Sequence, residues 1–364
     1  MSAPLSRRGL NRALLARQHL LDRDAPDPLA LIEHLGGVQA QEPWAPYVAL
    51  WTRIADFDPE SLSTLIAERN AVRAVLMRTT IHLVSAADSL SLLALTRPVL
   101  DRSFKGSQFA KQLGGAEVDE LLAAATELFD SEPRTRAELA SALGPRWPDA
   151  EPAALGHAAC YGVPVVQIPP RGLWRQQGAA RWTTPRAWLG SPPDPGASRE
   201  DLMLRYLGAF GPATVKDAQA WSGLTRLREV ADGLGDRIVR MEGEDGRELL
   251  DVPGAPLPDP ETPAPPRLLA PFDNLILGHD DRSRVISKAD RATVFRDRQM
   301  RAFTVDGFVA GTWRHTAEEI ELQPLRRLSD AELGPLIEEA GNLLAFLEPG
   351  ADPASVRIGA VPKN

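Results

Sequence analysis

The chain has 364 residues, a formal net charge of −8, 43% hydrophobic and 25% charged residues. That make-up belongs to an ordinary soluble globular protein with length for two or three domains, and it excludes a staple-dependent miniprotein. Its one cysteine, Cys160, excludes an intrachain disulfide and reads as a buried small hydrophobe in a reducing compartment.

The first segment, residues 1–110, opens on a basic stretch that Asn11, Arg12, Arg17 and Gln18 interrupt, so no secretory signal is expected from it. Nor does any uninterrupted apolar stretch reach membrane-spanning length; a cytoplasmic protein with no membrane partner is expected. Asp27-Pro28 predicts a helix start that Gly36-Gly37 closes, and Asp58-Pro59 predicts another. The β-branched run Val75–Val84 reads as a strand or hairpin arm, and Ser85 with Asp88 caps a following helix. In residues 111–195, Thr135 and Glu138 form a capping box, and a strand over Val163–Ile168 leads into an Arg-, Trp- and Gly-rich stretch. Residues 196–255 are the clearest. Ser198 with Asp201 caps one helix, Thr214 with Asp217 a short second one, Gly223 breaks the chain and Thr225 caps a third. A hairpin, Ile238–Glu242 and Arg247–Val252, closes the unit. Three helices and a hairpin read as a winged helix, with Arg226 and Arg228 on the groove-entering helix. After a Pro-rich link, residues 256–364 read as a small α+β unit with a hairpin about Asp306-Gly307 and a final helix capped by Ser329 and Glu332. The expected fold class is therefore α+β, tandem winged-helix units followed by a small α+β segment.

A negative total argues mildly against nucleic acid, yet the cations cluster. Five of the 41 basic residues are lysine, the rest arginine, the better bidentate phosphate binder. The groups are Arg7, Arg8, Arg12 and Arg17; Arg171, Arg175, Arg181 and Arg186; and Arg282, Arg284, Arg291, Arg296, Arg298 and Arg301. A GC-rich genome writes arginine for lysine too, and this accounts for much of the excess. Phosphate-loop, zinc-protease and nucleophile-elbow signatures are absent. His279-Asp280-Asp281 has metal-ligating side chains, but three adjacent residues rarely converge on one ion, so no metal or other cofactor is expected.

Val38-Gln39-Ala40-Gln41 follows a helix directly, and in an extended chain its two glutamines share a face. Taken alone, two solvated loop glutamines explain that spacing better than a site does. The motif does not stand alone. Together with Arg78–Val84, Leu268–Ile286 and Val305–Arg314, in this order, it resembles the AlkZ/YcaQ family of winged-helix DNA glycosylases, over nearly the whole chain from Leu10 to about Trp313. The family's motif is glutamine, an apolar residue, then glutamine or aspartate, and Gln39 and Gln41 match its Gln–Gln version. The resemblance implies that both are catalytic and that the substrate is double-stranded DNA bearing alkylated, often bulky, purines, in repair or in self-resistance to alkylating natural products; no obligate protein partner is evident. Alkylation at N7 or N3 makes the purine cationic and its bond to C1′ labile, so a positioned water and well-placed dipoles suffice for hydrolysis. Lysine is missing from Met1 to Phe104, so a monofunctional enzyme is expected. His82, Arg282, Arg284 and Trp44 are candidates for DNA contact, with Trp51 a second stacking candidate; a core histidine, intramolecular ion pairs and aromatic packing are the competing explanations. The rival function is a non-enzymatic winged-helix DNA-binding protein, a regulator or a shield for lesions.

Overall fold

The computed structural model describes residues 4–25, 27–296 and 300–361; Arg298 lies outside them. Local capping chemistry sets most helix starts. Asp27 accepts from Ala30 N (2.9 Å) at the head of the helix Pro28–His34, and Asp58 from Glu60 N (3.0 Å) at that of Pro59–Ala67. Thr135 with Glu138 and Thr214 with Asp217 form reciprocal capping boxes. Thr225 does not cap the third helix of its unit. That helix runs Leu227–Gly233 from Arg226, and its Leu227 N–H is taken by the Gln219 side chain (3.1 Å). The Val75–Val84 run is two strand ends rather than one arm, because Leu76–Thr80 turns the chain back on itself through a 3₁₀ turn at Met77–Thr79.

Twelve strands make three sheets among the described residues. The first joins β1 (Val38–Gln39), β2 (Ala71–Val75), β3 (Ile81–Ser85), β4 (Val166–Ile168) and β5 (Arg181–Thr183) in the order β1-β3-β2-β4-β5. All its pairings are antiparallel, and the strands of residues 1–110 and 111–195 share it. The hairpin β6 (Val239–Glu242) and β7 (Glu248–Asp251) follows the helices Arg199–Phe210, Val215–Ser222 and Leu227–Gly233. The third sheet joins β8 (Arg267–Leu268), β9 (Ala302–Val305), β10 (Phe308–His315), β11 (Ile320–Pro324) and β12 (Val356–Ile358) in the order β12-β11-β10-β9-β8, and the helix Asp330–Leu347 packs on it. The chain is thus mixed α+β.

Apolar side chains are buried on both faces of the first sheet. Val72, Ala74 and Val84 join a core with Tyr206, Phe210 and Trp221 of the three-helix unit, whereas Val38 and Leu83 join one with Tyr47, Leu50 and Trp313. Cys160 sits with Phe129 and Leu155 in a third core, where burial pushes its thiol up to about 11. Much of the first arginine cluster is internal, which corrects its reading as a cationic surface. Arg17 forms a buried bidentate pair with Asp251 (2.6 and 2.8 Å), and Arg8 and Arg12 both bind Asp306. These contacts tie the N-terminal helix Arg7–Arg17 to the distal half of the chain. Among the described residues no helix is long and apolar enough to cross a membrane.

Candidate active site

The Gln39–Gln41 segment has its shape dictated from both sides. Gly37 has φ +102°, and a Cβ there would lie 2.6 Å from Val84 Cγ1, so the chain enters β1 only with glycine at this position. Val38 and Gln39 pair with Leu83 and His82 of β3, and Ala40 N donates to Ile81 O (2.9 Å). Asn274 Nδ2 donates to Gly37 O (2.8 Å), and Arg73 Nη2 to Ala40 O (2.7 Å). Asn274 is placed by its neighbour Asp273, which forms a buried bidentate pair with Arg53 (2.7 and 3.0 Å).

Both glutamine side chains anchor on consecutive residues where the facing strand begins, Thr80 at the end of the turn and Ile81 at the head of β3. Gln39 is 5% exposed and its Nε2 donates to Thr80 Oγ1 (3.0 Å), while its Oε1 is buried with no partner among the described residues. Gln41 is exposed, and its Oε1 accepts from Ile81 N (3.3 Å). One side chain is therefore held in the wall of the sheet and the other at its rim.

Behind Gln39 lies a chain of polar contacts. Arg78 donates to Trp221 O (2.5 Å) and from Nη2 to His82 Nε2 (3.3 Å). Since a guanidinium only donates, Nε2 is an acceptor and the neutral ring carries its proton on Nδ1, which donates to Thr80 O (3.0 Å). Burial, reinforced by the Arg78 charge, pushes His82 down to about 3, so it stays neutral at physiological pH. Arg73 and Arg78 are each lowered to about 10, chiefly by burial and then by another arginine, Arg171 and Arg282 respectively. Arg73 binds Ala40 O, Gln167 Oε1 and Arg171 O, all neutral acceptors.

The other residues singled out in the sequence fall into four groups. His82 and Arg284 are corrections to the expectation of surface DNA contacts. His82 is 1% exposed within the network above, and Arg284, 5% exposed, donates to Pro212 O (2.8 Å). Arg282 is half-buried over the Phe295 ring (4.8 Å), Arg226 is exposed, and Arg228 is exposed but paired with Glu248 (2.5 Å). Trp44 is half-buried, edge-on to His315 (5.2 Å), and lines a cleft of about 800 Å³ with Tyr47, Arg171 and Trp174. By strand register this cleft lies on the Arg73 side of the sheet, opposite to Gln39. Trp51 stacks on Phe346. The three residues of His279-Asp280-Asp281 diverge: His279 reaches Phe210 O (3.0 Å), Asp280 binds Lys216 (2.8 Å) and Asp281 binds Arg247 (2.5 Å).

Sequence reasoning assigned no role to Thr80, Arg73 or Asn274. The first and last lie inside the stretches that carried the family resemblance, and that was their only signal. Arg73 had none, since its partners are two carbonyls and an amide scattered over Ala40, Gln167 and Arg171.

These features define a mixed α+β protein with two amides anchored on consecutive residues, Thr80 and Ile81, at the edge of a five-stranded sheet. A family model described as DNA glycosylase AlkZ-like matches residues 32–346, and the chain belongs to that family. An interstrand DNA cross-link repair glycosylase of Streptomyces sahachiroi is 27% identical over 342 residues, spanning 85% of this chain and 88% of the relative. The solved structure of the Streptomyces sahachiroi DNA glycosylase AlkZ superposes with a TM-score of 0.79 at 23% identity, covering 98% of this chain and all of the other. That likeness establishes the fold.

Proposed function

We propose that the chain is a monofunctional DNA glycosylase that hydrolyses the bond between C1′ and a cationic N7- or N3-alkylated purine, bulky adducts and crosslinks included. The observation that carries this reading is the paired anchoring of Gln39 on Thr80 and Gln41 on Ile81 in a chain of this family. In this mechanism the purine leaves neutral with the bonding electron pair. A water held by the two amides adds to the cationic C1′ and releases its proton to solvent. Neutral amides supply positioning and dipoles in place of a strong base, so the substrate must bring a labile bond. The segment carrying the motif has no lysine before Lys105, which favours a water nucleophile over a Schiff base.

We read the unit Arg199–Asp251 as a winged helix that offers Arg226 to the duplex, with Arg228 exchanging Glu248 for phosphate. The divisions near residues 110, 195 and 255 are part of the same reading, with the first two segments joined through their common sheet. The name of the Streptomyces sahachiroi relative favours crosslinks as substrates and repair as the setting.

The test is incubation with duplexes carrying N7-alkylguanine, uracil or 8-oxoguanine, followed by detection of free base. Release of the cationic base alone is expected. DNA retention without release from any alkylpurine would replace this reading with a lesion-binding protein, and efficient uracil release would refute the mechanism.

A further inference from the structure

We propose that Thr80 is a positioning residue that fixes the polarity of the Gln39 amide, so that the carbonyl oxygen and not the NH2 faces the reacting centre. The assignment rests on the reading of Gln39 as part of a glycosylase centre, and it follows from hydrogen-bond accounting. The Thr80 hydroxyl has a single hydrogen, and the Met77 carbonyl at 3.2 Å can only accept it. The Thr80 oxygen is then left with lone pairs alone for its other neighbour. With that hydrogen on Met77 O, which accepts from the Thr80 N–H as well (3.2 Å), the Gln39 group 3.0 Å away is the N–H end of the amide. Its oxygen is thereby turned away from Thr80, and this atom, Gln39 Oε1, is buried without a partner among the described residues. A buried acceptor left unpaired is rare in folded proteins and marks a place where water or a ligand completes the set.

Gln41 has the opposite polarity for an equally simple reason. The Ile81 N–H can only donate, so it takes Oε1, at 3.3 Å, and the Gln41 NH2 becomes the free end. One acceptor and one donor are thus presented from neighbouring anchors. A water between them gives a hydrogen to Gln39, accepts one from Gln41, and keeps a lone pair for C1′. The negative end of the Gln39 dipole also faces the developing sugar cation.

Thr80 is itself held firmly. It closes a turn in which Arg78 and Thr79 adopt φ of +54° and +60°, a conformation that non-glycine residues rarely take. The turn is locked by Arg78 on Trp221 O and by His82 on Thr80 O. The three-helix unit therefore reaches the Gln39 amide through Trp221, Arg78, His82 and Thr80. The packing of Gly223 next to Arg78, where a Cβ would come within 2.9 Å of Val99, keeps that unit close.

The experiment compares Thr80→Val, which keeps the shape and loses the hydroxyl, with Thr80→Ser, which keeps the hydroxyl. Single-turnover release of N7-alkylguanine is measured beside DNA affinity and thermal melting. Thr80→Val is expected to slow release about 10- to 100-fold, the usual weight of a group that orients a reacting one, with affinity changed only a few-fold. Thr80→Ser restores most of the rate. If Thr80→Val does not fold, Thr80→Ala removes the hydroxyl without the added methyl, and the same slowing is expected. A Thr80→Val or Thr80→Ala enzyme as fast as the unmodified chain overturns the proposal, and so does a Thr80→Ser enzyme as slow as Thr80→Val. Absence of release by the unmodified chain overturns the glycosylase reading, and this assignment with it.

Discussion

The buried arginines of this protein follow two different rules. Arg17 and Arg53 are each closed by a carboxylate, Asp251 and Asp273, in bidentate pairs that are almost fully buried. Arg73 and Arg78, next to the glutamine pair, bind carbonyl oxygens, an amide oxygen and a histidine ring, and among the described residues neither has an ion-pair partner. The first arrangement stitches distant parts of the chain together. The second leaves two buried guanidiniums without an ion pair close to the candidate active site. Taking such charge out of water is expensive, which is why both guanidiniums are lowered to about 10. The compensated cations serve the scaffold, whereas Arg73 and Arg78 are held by neutral acceptors on the two sides of the sheet that carries the glutamine pair.

The comparison breaks most visibly at Arg53. Arg53→Met strands Asp273 as an unpaired buried charge and releases Asn274 from Gly37, so a loss of about 3–5 kcal/mol is expected in denaturant unfolding. A loss below 1 kcal/mol would mean that the pair is no part of the scaffold. Next in size is the effect of acid. His82 is held neutral with its value pushed down to about 3, while the unfolded chain takes up a proton near 6.5. The folded state refuses that proton, so stability is complete above 6.5 and falls as the pH drops below it. The slope is about 1.4 kcal/mol per pH unit for this residue, giving ~3 kcal/mol by pH 4.5. His279, also pushed down by burial and then by Arg284, adds to the same trend. His82→Asn should flatten the slope of unfolding free energy against pH between 6.5 and 4.5; an unchanged slope would show that His82 titrates freely.

A smaller effect on stability is expected for Arg73→Met. It leaves Ala40 O and Gln167 Oε1 unpaired but no stranded charge, at about 1–3 kcal/mol. Base release should fall by far more than that loss of folded population explains. Release kinetics of folded protein separate the two, and unaltered kinetics would place Arg73 with the scaffold. The smallest effect concerns Arg282, half-buried above Phe295 and close enough to Arg78 to lower it. If it meets a phosphate, Arg282→Gln should reduce the slope of log affinity against log salt by about 1. No change in slope would exclude that contact.

How much of this could be read in the sequence depends on how local each cause is. Helix caps such as Asp27, Thr135 and Ser198 act over three residues and were legible, as was the hairpin about Asp306-Gly307. Thr225 misled because the side chain that satisfies Leu227 N–H comes from Gln219, on the preceding helix. The shared sheet was hidden because β2 and β4 pair across roughly ninety residues, from Arg73 to Gln167. Arg12 and Arg17 looked like a DNA-facing cluster because their carboxylates, Asp306 and Asp251, lie in the distal half of the chain. Gln39 and Gln41 were conspicuous through resemblance, and their spacing alone would not have raised them. What the spacing could not convey is that Thr80 and Ile81 hold the two amides in opposite senses.

The central claim is that this pair performs the chemistry while binding is carried by other residues. The most direct measurement takes the Gln39→Ala/Gln41→Ala double variant and follows N7-alkylguanine release and duplex affinity on the same sample. The account predicts that release is abolished while affinity stays within a few-fold of the unmodified chain. Retained release, or release and affinity lost in parallel, would contradict it.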